Sequence, residues 1–244
     1  MLTDIQKERY SRQLLEISEE EQSLLLSKEV VQVGIGGLGS PLAYYLVAMG
    51  VGKLRIIEYD RISLSNLNRQ IMFNTSEISE EKALISKRKL EALNPDVEIK
   101  IFQQKLTKNN YKHLIAKPDY LVDASDNAKT KFLVNDIGLE KDIPVTIAGV
   151  REMEGQIMST IPHKTACYRC VFGNKTSKEL TINPTTPLGI FGFTSGALGS
   201  FLAAEVIKGL LGMDGRLLNK MLMVDLQHMQ FLNVNVNKNK NCIC

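Results

Sequence analysis

At 244 residues, with 44% hydrophobic and 23% charged side chains, the chain can bury one substantial core and has the balance of an ordinary globular protein. A formal charge of +3 is too small to point to nucleic acid, and the opening Met1-Leu2-Thr3-Asp4 lacks the basic-then-apolar pattern of a secretory signal, so a cytoplasmic protein is expected. The uncharged stretch Leu180–Ala204 is long enough to span a bilayer, but its prolines and glycines read as a loop feeding a buried helix, so no membrane span is expected.

Residues Ile5–Ile17 set apolar side chains among charges, predicting an amphipathic helix that carries Arg9 and Arg12. Ser18 and Glu21 form a capping-box pattern for a second short helix ending near Ser27. Strands and helices then alternate: strand Glu29–Val33, helix Leu38–Met49 stopped by Gly50, strand Lys53–Ile57, and helix Ser79–Leu93 stopped by Asn94-Pro95. Strand Val97–Phe102, helix Lys108–Ala116, strand Tyr120–Ala124, helix Ala128–Glu140 and strand Val145–Ala148 continue the pattern. Such alternation predicts an α/β fold, a Rossmann-like doubly wound and mostly parallel sheet covered on both faces. After Gly149 the rhythm changes to strand Gln156–Ile161, a long helix Ser195–Leu211, and C-terminal antiparallel strands Leu222–Leu226 and Gln230–Val236. No repeat or linker divides the chain. The expectation is one domain, 1–244, with N-terminal helices (1–28), a nucleotide-binding core (29–150) and a part for zinc and a partner (151–244).

The apolar run Val30–Val33 enters Gly34-Ile35-Gly36-Gly37-Leu38-Gly39, the turn by which a strand meets a nucleotide phosphate at a helix N-terminus. Asp60, near the end of the next strand, is a candidate for the ribose hydroxyls or a plain loop cap. Asn66, Asn68, Arg69 and Gln70 follow in a loop, and Lys82 opens the next helix. A nicotinamide site has no need of these extra cations and amides, whereas a triphosphate does; the alternative is a solvated loop with a surface ion pair. Farther on, Asp126 falls where open α/β sheets bind ligands and suits Mg²⁺, a hard cation held by carboxylate and phosphate oxygens. Asp123 reads as structural and Asn127 as a helix cap. Ser125 has no base beside it, and His113, His163 and His228 form no triad arrangement. Cys167-x-x-Cys170 and Cys242-x-Cys244 suit a tetrahedral Zn²⁺, with a redox pair or free thiols as alternatives.

Together these segments resemble the ThiF/MoeB/HesA family, bacterial relatives of ubiquitin-activating enzymes. The resemblance starts at Arg9-Tyr10-Ser11-Arg12-Gln13 and includes the glycine turn, Ser63-Leu64-Ser65-Asn66-Leu67-Asn68-Arg69-Gln70 and Asp123-x-x-Asp126-Asn127. Glu154-Gly155-Gln156 and Cys167-Tyr168-Arg169-Cys170 carry it toward the last cysteine. It implies ATP-dependent adenylation of the C-terminal glycine of a ubiquitin-like sulfur carrier protein ending in Gly-Gly, in molybdopterin or thiamine biosynthesis. It further implies Asp126 on Mg²⁺, Asp60 on the ribose, Asn68, Arg69 and Lys82 on the phosphates, and Arg12 reaching the ATP of the other subunit of a homodimer. Leu180–Gly192 resembles the family's crossover loop. There is no cysteine between Val171 and Val206, so no enzyme thioester is expected, and no added sulfurtransferase domain, so a separate sulfur donor is. Adenylation of a short peptide or a tRNA-bound carboxylate, a carrier-binding adaptor without catalysis, and a nicotinamide oxidoreductase are the rival readings.

Overall fold

The computed structural model describes residues 1–173 and 189–244. Two short helices, α1 (Asp4–Arg9) and α2 (Glu19–Ser27), open the chain, and each begins with a reciprocal capping box, Thr3 with Gln6 and Ser18 with Glu21. Then come β1 (Glu29–Val33), α3 (Gly39–Ala48), β2 (Lys53–Ile57), α4 (Lys82–Leu93), β3 (Glu98–Phe102), α5 (Tyr111–Leu114), β4 (Tyr120–Asp123), α6 (Ala128–Lys141) and β5 (Val145–Arg151). The remainder comprises β6 (Glu154–Thr160), α7 (Tyr168–Phe172), α8 (Gly192–Leu211), β7 (Lys220–Asp225) and β8 (Gln230–Asn235).

All strands join one sheet in the order β3-β2-β1-β4-β5-β6-β7-β8, parallel from β3 to β5 and antiparallel from there on. The expected doubly wound α/β sheet with antiparallel C-terminal strands is what the chain forms. Its order turns back between β1 and β4, which opens a crevice beyond their C-terminal ends. One buried cluster sets Leu42, Leu46, Leu90 and Leu202 of α3, α4 and α8 against the sheet; the other uses Leu114, Phe132 and Ile137 from α5 and α6. β1 alternates between them, with Val30 in the first and Val31 and Val33 in the second, so it is buried on both faces. Each such side chain contributes about 1.5–3 kcal/mol by leaving water.

Four expectations are corrected. The Ile5–Ile17 helix stops at Arg9, because Tyr10 turns into the core; its hydroxyl accepts from Asn94 Nδ2 at 2.9 Å, and Gln13–Leu15 form a 3₁₀ turn instead. Helix α4 starts at Lys82 rather than Ser79: Ser79 has φ +76°, outside helical space, and Glu81 pairs with Arg61 in an isolated bridge. The Lys108–Ala116 helix shrinks to the single turn α5. Helix α7, which carries both residues between the first two cysteines, was not expected as an element. Of the Leu180–Gly192 stretch read as a crossover loop, residues up to 188 lie outside the described residues. No helix among the described residues is long and apolar enough to cross a membrane.

Candidate active site

The glycine turn follows β1 directly. Gly34 has φ +91°, a left-handed conformation that favours glycine. At Gly39 a Cβ would stand 2.3 Å from the Gly34 carbonyl oxygen, so only glycine lets α3 close onto the turn. Two buried side chains brace the loop from below. Gln32 Nε2 donates to the carbonyls of Gly34 at 2.8 Å and Gly39 at 2.9 Å, and Glu58 Oε2 accepts the Ile35 amide at 3.0 Å.

Glu58 is the first residue beyond β2, and its other oxygen accepts the amides of Tyr59 at 2.8 Å and Asp60 at 2.9 Å. Asp60 comes two residues later, and its half-exposed carboxylate pairs with the buried Lys82 at 3.2 Å. Arg69 donates from Nη1 to the Ser65 carbonyl at 2.9 Å and to Asn68 Oδ1 at 3.0 Å. Its loop is clamped to α4 through the nearly buried Glu77, which pairs with Lys89 at 2.8 Å and Arg88 at 3.0 Å. Burial opposes the Glu77 carboxylate, but Lys89 and the Asn74 amide hold it below the usual carboxylate range.

At the end of β4 the buried Asp123 pairs with Lys131 of α6 at 2.7 Å and accepts from Ser125 Oγ at 2.7 Å. Burial pushes the Asp123 carboxyl up, against the pull of Lys131 and Ser125. Lys131 Nζ also donates to the carbonyls of Ser125 and Ala148, each at 2.6 Å, and so ties β4, β5 and α6 together beside the cleft. The structural reading of Asp123 follows from this burial, and Asn127 caps α6 by accepting from the Thr130 amide at 2.9 Å. Asp123→Ala is expected to cost about 3–5 kcal/mol of unfolding free energy, because Lys131 is left buried without its counter-charge. Urea titration measures this, and a loss below about 1 kcal/mol would remove the assignment.

A cleft of about 410 Å³ collects these groups: Gly34, Gly36, Gly37, Glu58, Asp60, Arg69, Lys82 and Asp126 all line it. Gly39 stands just behind the turn. Asp126 is exposed, and among the described residues no hydrogen bond or ion pair engages its carboxylate. Two expected residues lie elsewhere: Asn68 and Arg12 are exposed and do not line the cleft. Four charged residues that do line it escaped the sequence reading, namely Glu58, Lys105, Lys131 and Arg151. The signal for Glu58 was present, since the ribose acid of such folds stands at the end of the second strand and β2 ends at Ile57.

The second expected centre is the cysteine cluster. Cys167, Cys170, Cys242 and Cys244 bring their sulfurs within 4.8 Å of one another. Individual separations are 4.0 Å for Cys167–Cys170, 3.5 Å for Cys167–Cys242 and 3.3 Å for Cys170–Cys244. Four thiolates about 2.3 Å from one tetrahedral ion stand about 3.8 Å apart, so the donor set fits zinc. Burial pushes the Cys167 thiol up to about 11. Burial also opposes the Cys170 thiolate, yet the Asn239 amide, 3.3 Å from its sulfur, and its cysteine neighbours bring it down to about 7. The neighbouring Arg169 forks onto Asp136 of α6 at 2.6 and 2.7 Å, which fixes α7 against the core.

A sulfur carrier protein adenylyltransferase of Thermus thermophilus is 36% identical over 243 residues, covering 96% of this chain and 89% of its own. The sulfur carrier protein ThiS adenylyltransferase of Escherichia coli K12 is 36% identical over 209 residues, covering 84% and 82%. Among solved structures, E. coli MccB with ATP superimposes with a TM-score of 0.86 over 96% of this chain and 73% of that one; at 24% identity this shows a shared fold. The ThiF family profile matches residues 10–244, and the chain belongs to the ThiF family.

Proposed function

We propose that the protein is an adenylyltransferase that joins AMP from ATP to the C-terminal glycine carboxylate of a ubiquitin-like sulfur carrier protein and releases pyrophosphate. The observation that carries this reading is the content of one cleft: a glycine turn, the phosphate-seeking cations Arg69 and Lys82, and an unengaged carboxylate, Asp126. The two relatives named above are sulfur carrier protein adenylyltransferases, which supports the same activity here.

The carboxylate substrate is ionised near neutral pH, so the enzyme needs no base. Its task is to bring two anions together and steady the charge that shifts during transfer. The amides of the turn at the N-terminus of α3 receive phosphate oxygens. Arg69 and Lys82 neutralise the triphosphate, with Asn68 steadying the Arg69 guanidinium through their hydrogen bond. Glu58 and Asp60, beyond the end of β2, receive the ribose hydroxyls, and the engagement of both Glu58 oxygens by amides keeps that carboxylate fixed. Asp126 holds Mg²⁺, which when bound screens the phosphate charge. Arg12 serves the neighbouring active site of a homodimer, and its exposure leaves its guanidinium available to a second copy.

The four cysteines hold a structural zinc. With all four engaged there, sulfur comes to the adenylated carrier from a separate donor, in thiamine or molybdopterin biosynthesis in the cytoplasm. Pyrophosphate exchange into ATP tests the activity: it is expected only when a small carrier ending in Gly-Gly is added. Exchange that is absent with every such carrier sinks the reading.

A further inference from the structure

Arg151 ends β5 and lines the cleft on the side away from β2. In the sheet order β1 and β4 separate those two strands, so Arg151 stands three strand spacings, roughly 14 Å, from the Glu58 end. Its Nε is buried and, among the described residues, has no hydrogen-bond partner. The Glu152 carboxylate is 3.8 Å away, beyond hydrogen-bond reach, and 42% of the Arg151 side chain remains open to solvent. A guanidinium carries five N–H donors, and the solvent-open part of this one, on a residue that lines the cleft, can meet an acceptor that a ligand brings.

The other cations of the cleft are already engaged. Lys131 has three N–H donors, and Asp123 and the two carbonyls of Ser125 and Ala148 take all of them. Lys82 pairs with Asp60, and Lys105 lies over the Tyr59 ring at 5.4 Å on the β2 side. Arg69 belongs to the loop beyond β2, where the nucleotide's own charges require it. At the β5 side, among the described residues, Arg151 is the cation with donors to spare.

We propose that Arg151 binds the carboxylate that becomes adenylated. The proposal rests on the adenylation reading and adds the residue that holds the acyl partner. A guanidinium fork matches a carboxylate in two parallel hydrogen bonds. It sets one carboxylate oxygen toward the α-phosphorus and offsets the repulsion between that group and the triphosphate. The oxygen then forms the bond to the α-phosphorus. The bond from that phosphorus to the α–β bridging oxygen breaks, pyrophosphate leaves with the electron pair, and no proton is transferred.

A four-way comparison of dissociation constants tests this. The unsubstituted enzyme and Arg151→Ala, each with an α,β-methylene analogue of ATP, are titrated with a carrier ending in the Gly-Gly carboxylate and with the same carrier as its C-terminal amide. The carrier is the one that supports pyrophosphate exchange in the unsubstituted enzyme. Amidation is expected to weaken binding to the unsubstituted enzyme about 10- to 100-fold and to Arg151→Ala by no more than about twofold. Arg151→Lys should recover part of the difference, and affinity for the nucleotide analogue should be alike in all three proteins. An amidation penalty that is equal in the unsubstituted enzyme and Arg151→Ala overturns the proposal, as does a parallel fall in nucleotide affinity, which would make Arg151 a triphosphate ligand. A working carrier with no coupling to Arg151 sinks this assignment alone. Failure of every carrier in the unsubstituted enzyme sinks the adenylation reading and this proposal with it.

Discussion

Asp126→Ala is expected to lower carrier-dependent pyrophosphate exchange on the order of 10³-fold or more, about 4 kcal/mol in the barrier, while leaving the folded state almost untouched. The two halves of that expectation come from one fact. The carboxylate is exposed in the cleft and has no hydrogen bond or ion pair among the described residues, so its removal breaks nothing in the fold. A substitution of that kind moves stability by no more than about 0.5 kcal/mol. Arg69→Ala should cost less, about 2.7–4 kcal/mol, since it removes one preorganised donor among several. Exchange assays beside urea unfolding separate the effects. If Asp126→Ala retained activity within about tenfold, the carboxylate would not hold the metal, because loss of a first ligand of an activating ion is not so mild. Asp123, three residues earlier, predicts the reverse pattern, a stability loss, which makes the pair an internal control.

Removal of the proposed zinc is expected to release the C-terminal tail without unfolding the sheet. Of residues 237–244, only Cys242 and Cys244 are half-buried and the rest are exposed, so little apolar surface holds this segment. Its fixed contacts are few: Lys238 Nζ donates to the His163 carbonyl at 2.7 Å, and the Asn239 amide to Cys170 Sγ at 3.3 Å. Ordering eight backbone residues costs about 8–16 kcal/mol at roughly 1–2 kcal/mol each. A structural zinc supplies about 10–16 kcal/mol in small peptides, enough to offset that and little more. Cys167→Ser or a strong chelator should therefore abolish one equivalent of bound zinc and raise hydrogen exchange in residues 237–244 to the unprotected rate. Exchange in β1 and β4, buried on both faces, should stay unchanged. A protein that keeps tail protection with no metal bound would show that the cysteines serve another purpose.

The nucleotide half of the fold was legible in the residues because its determinants are local. β1 and β2 begin and end where their apolar runs do, the capping box of α2 lies within four residues, and the glycine turn sits inside a single strand-turn-helix unit. Elements whose limits depend on distant contacts were misread. The first helix looked longer because its apolar spacing continues, but Tyr10 leaves it to meet Asn94, 84 positions away. Helix α4 looked longer because Ser79 resembles a cap, whereas a bridge to Arg61 and a left-handed φ keep that stretch out of the helix.

The same division runs through the site. The sequence by itself determined which residue types the proposed chemistry would use and in what motifs: the glycines, Arg69, Lys82, Asp126 and two cysteine pairs. Only the tertiary structure decided which side chains share a space. Sheet order, a product of long-range packing, brings the ends of β1, β2, β4 and β5 to one crevice. It thereby sets Glu58 at the strand end, uses the three donors of Lys131 internally and leaves Arg151 with an N–H unmatched among the described residues. Likewise Cys167 and Cys242 lie 75 positions apart and meet at 3.5 Å, because the antiparallel pair β7 and β8 returns the chain toward α7. Spacing along a chain encodes turns and helix faces, whereas contacts across a sheet depend on register between segments that the sequence does not place side by side.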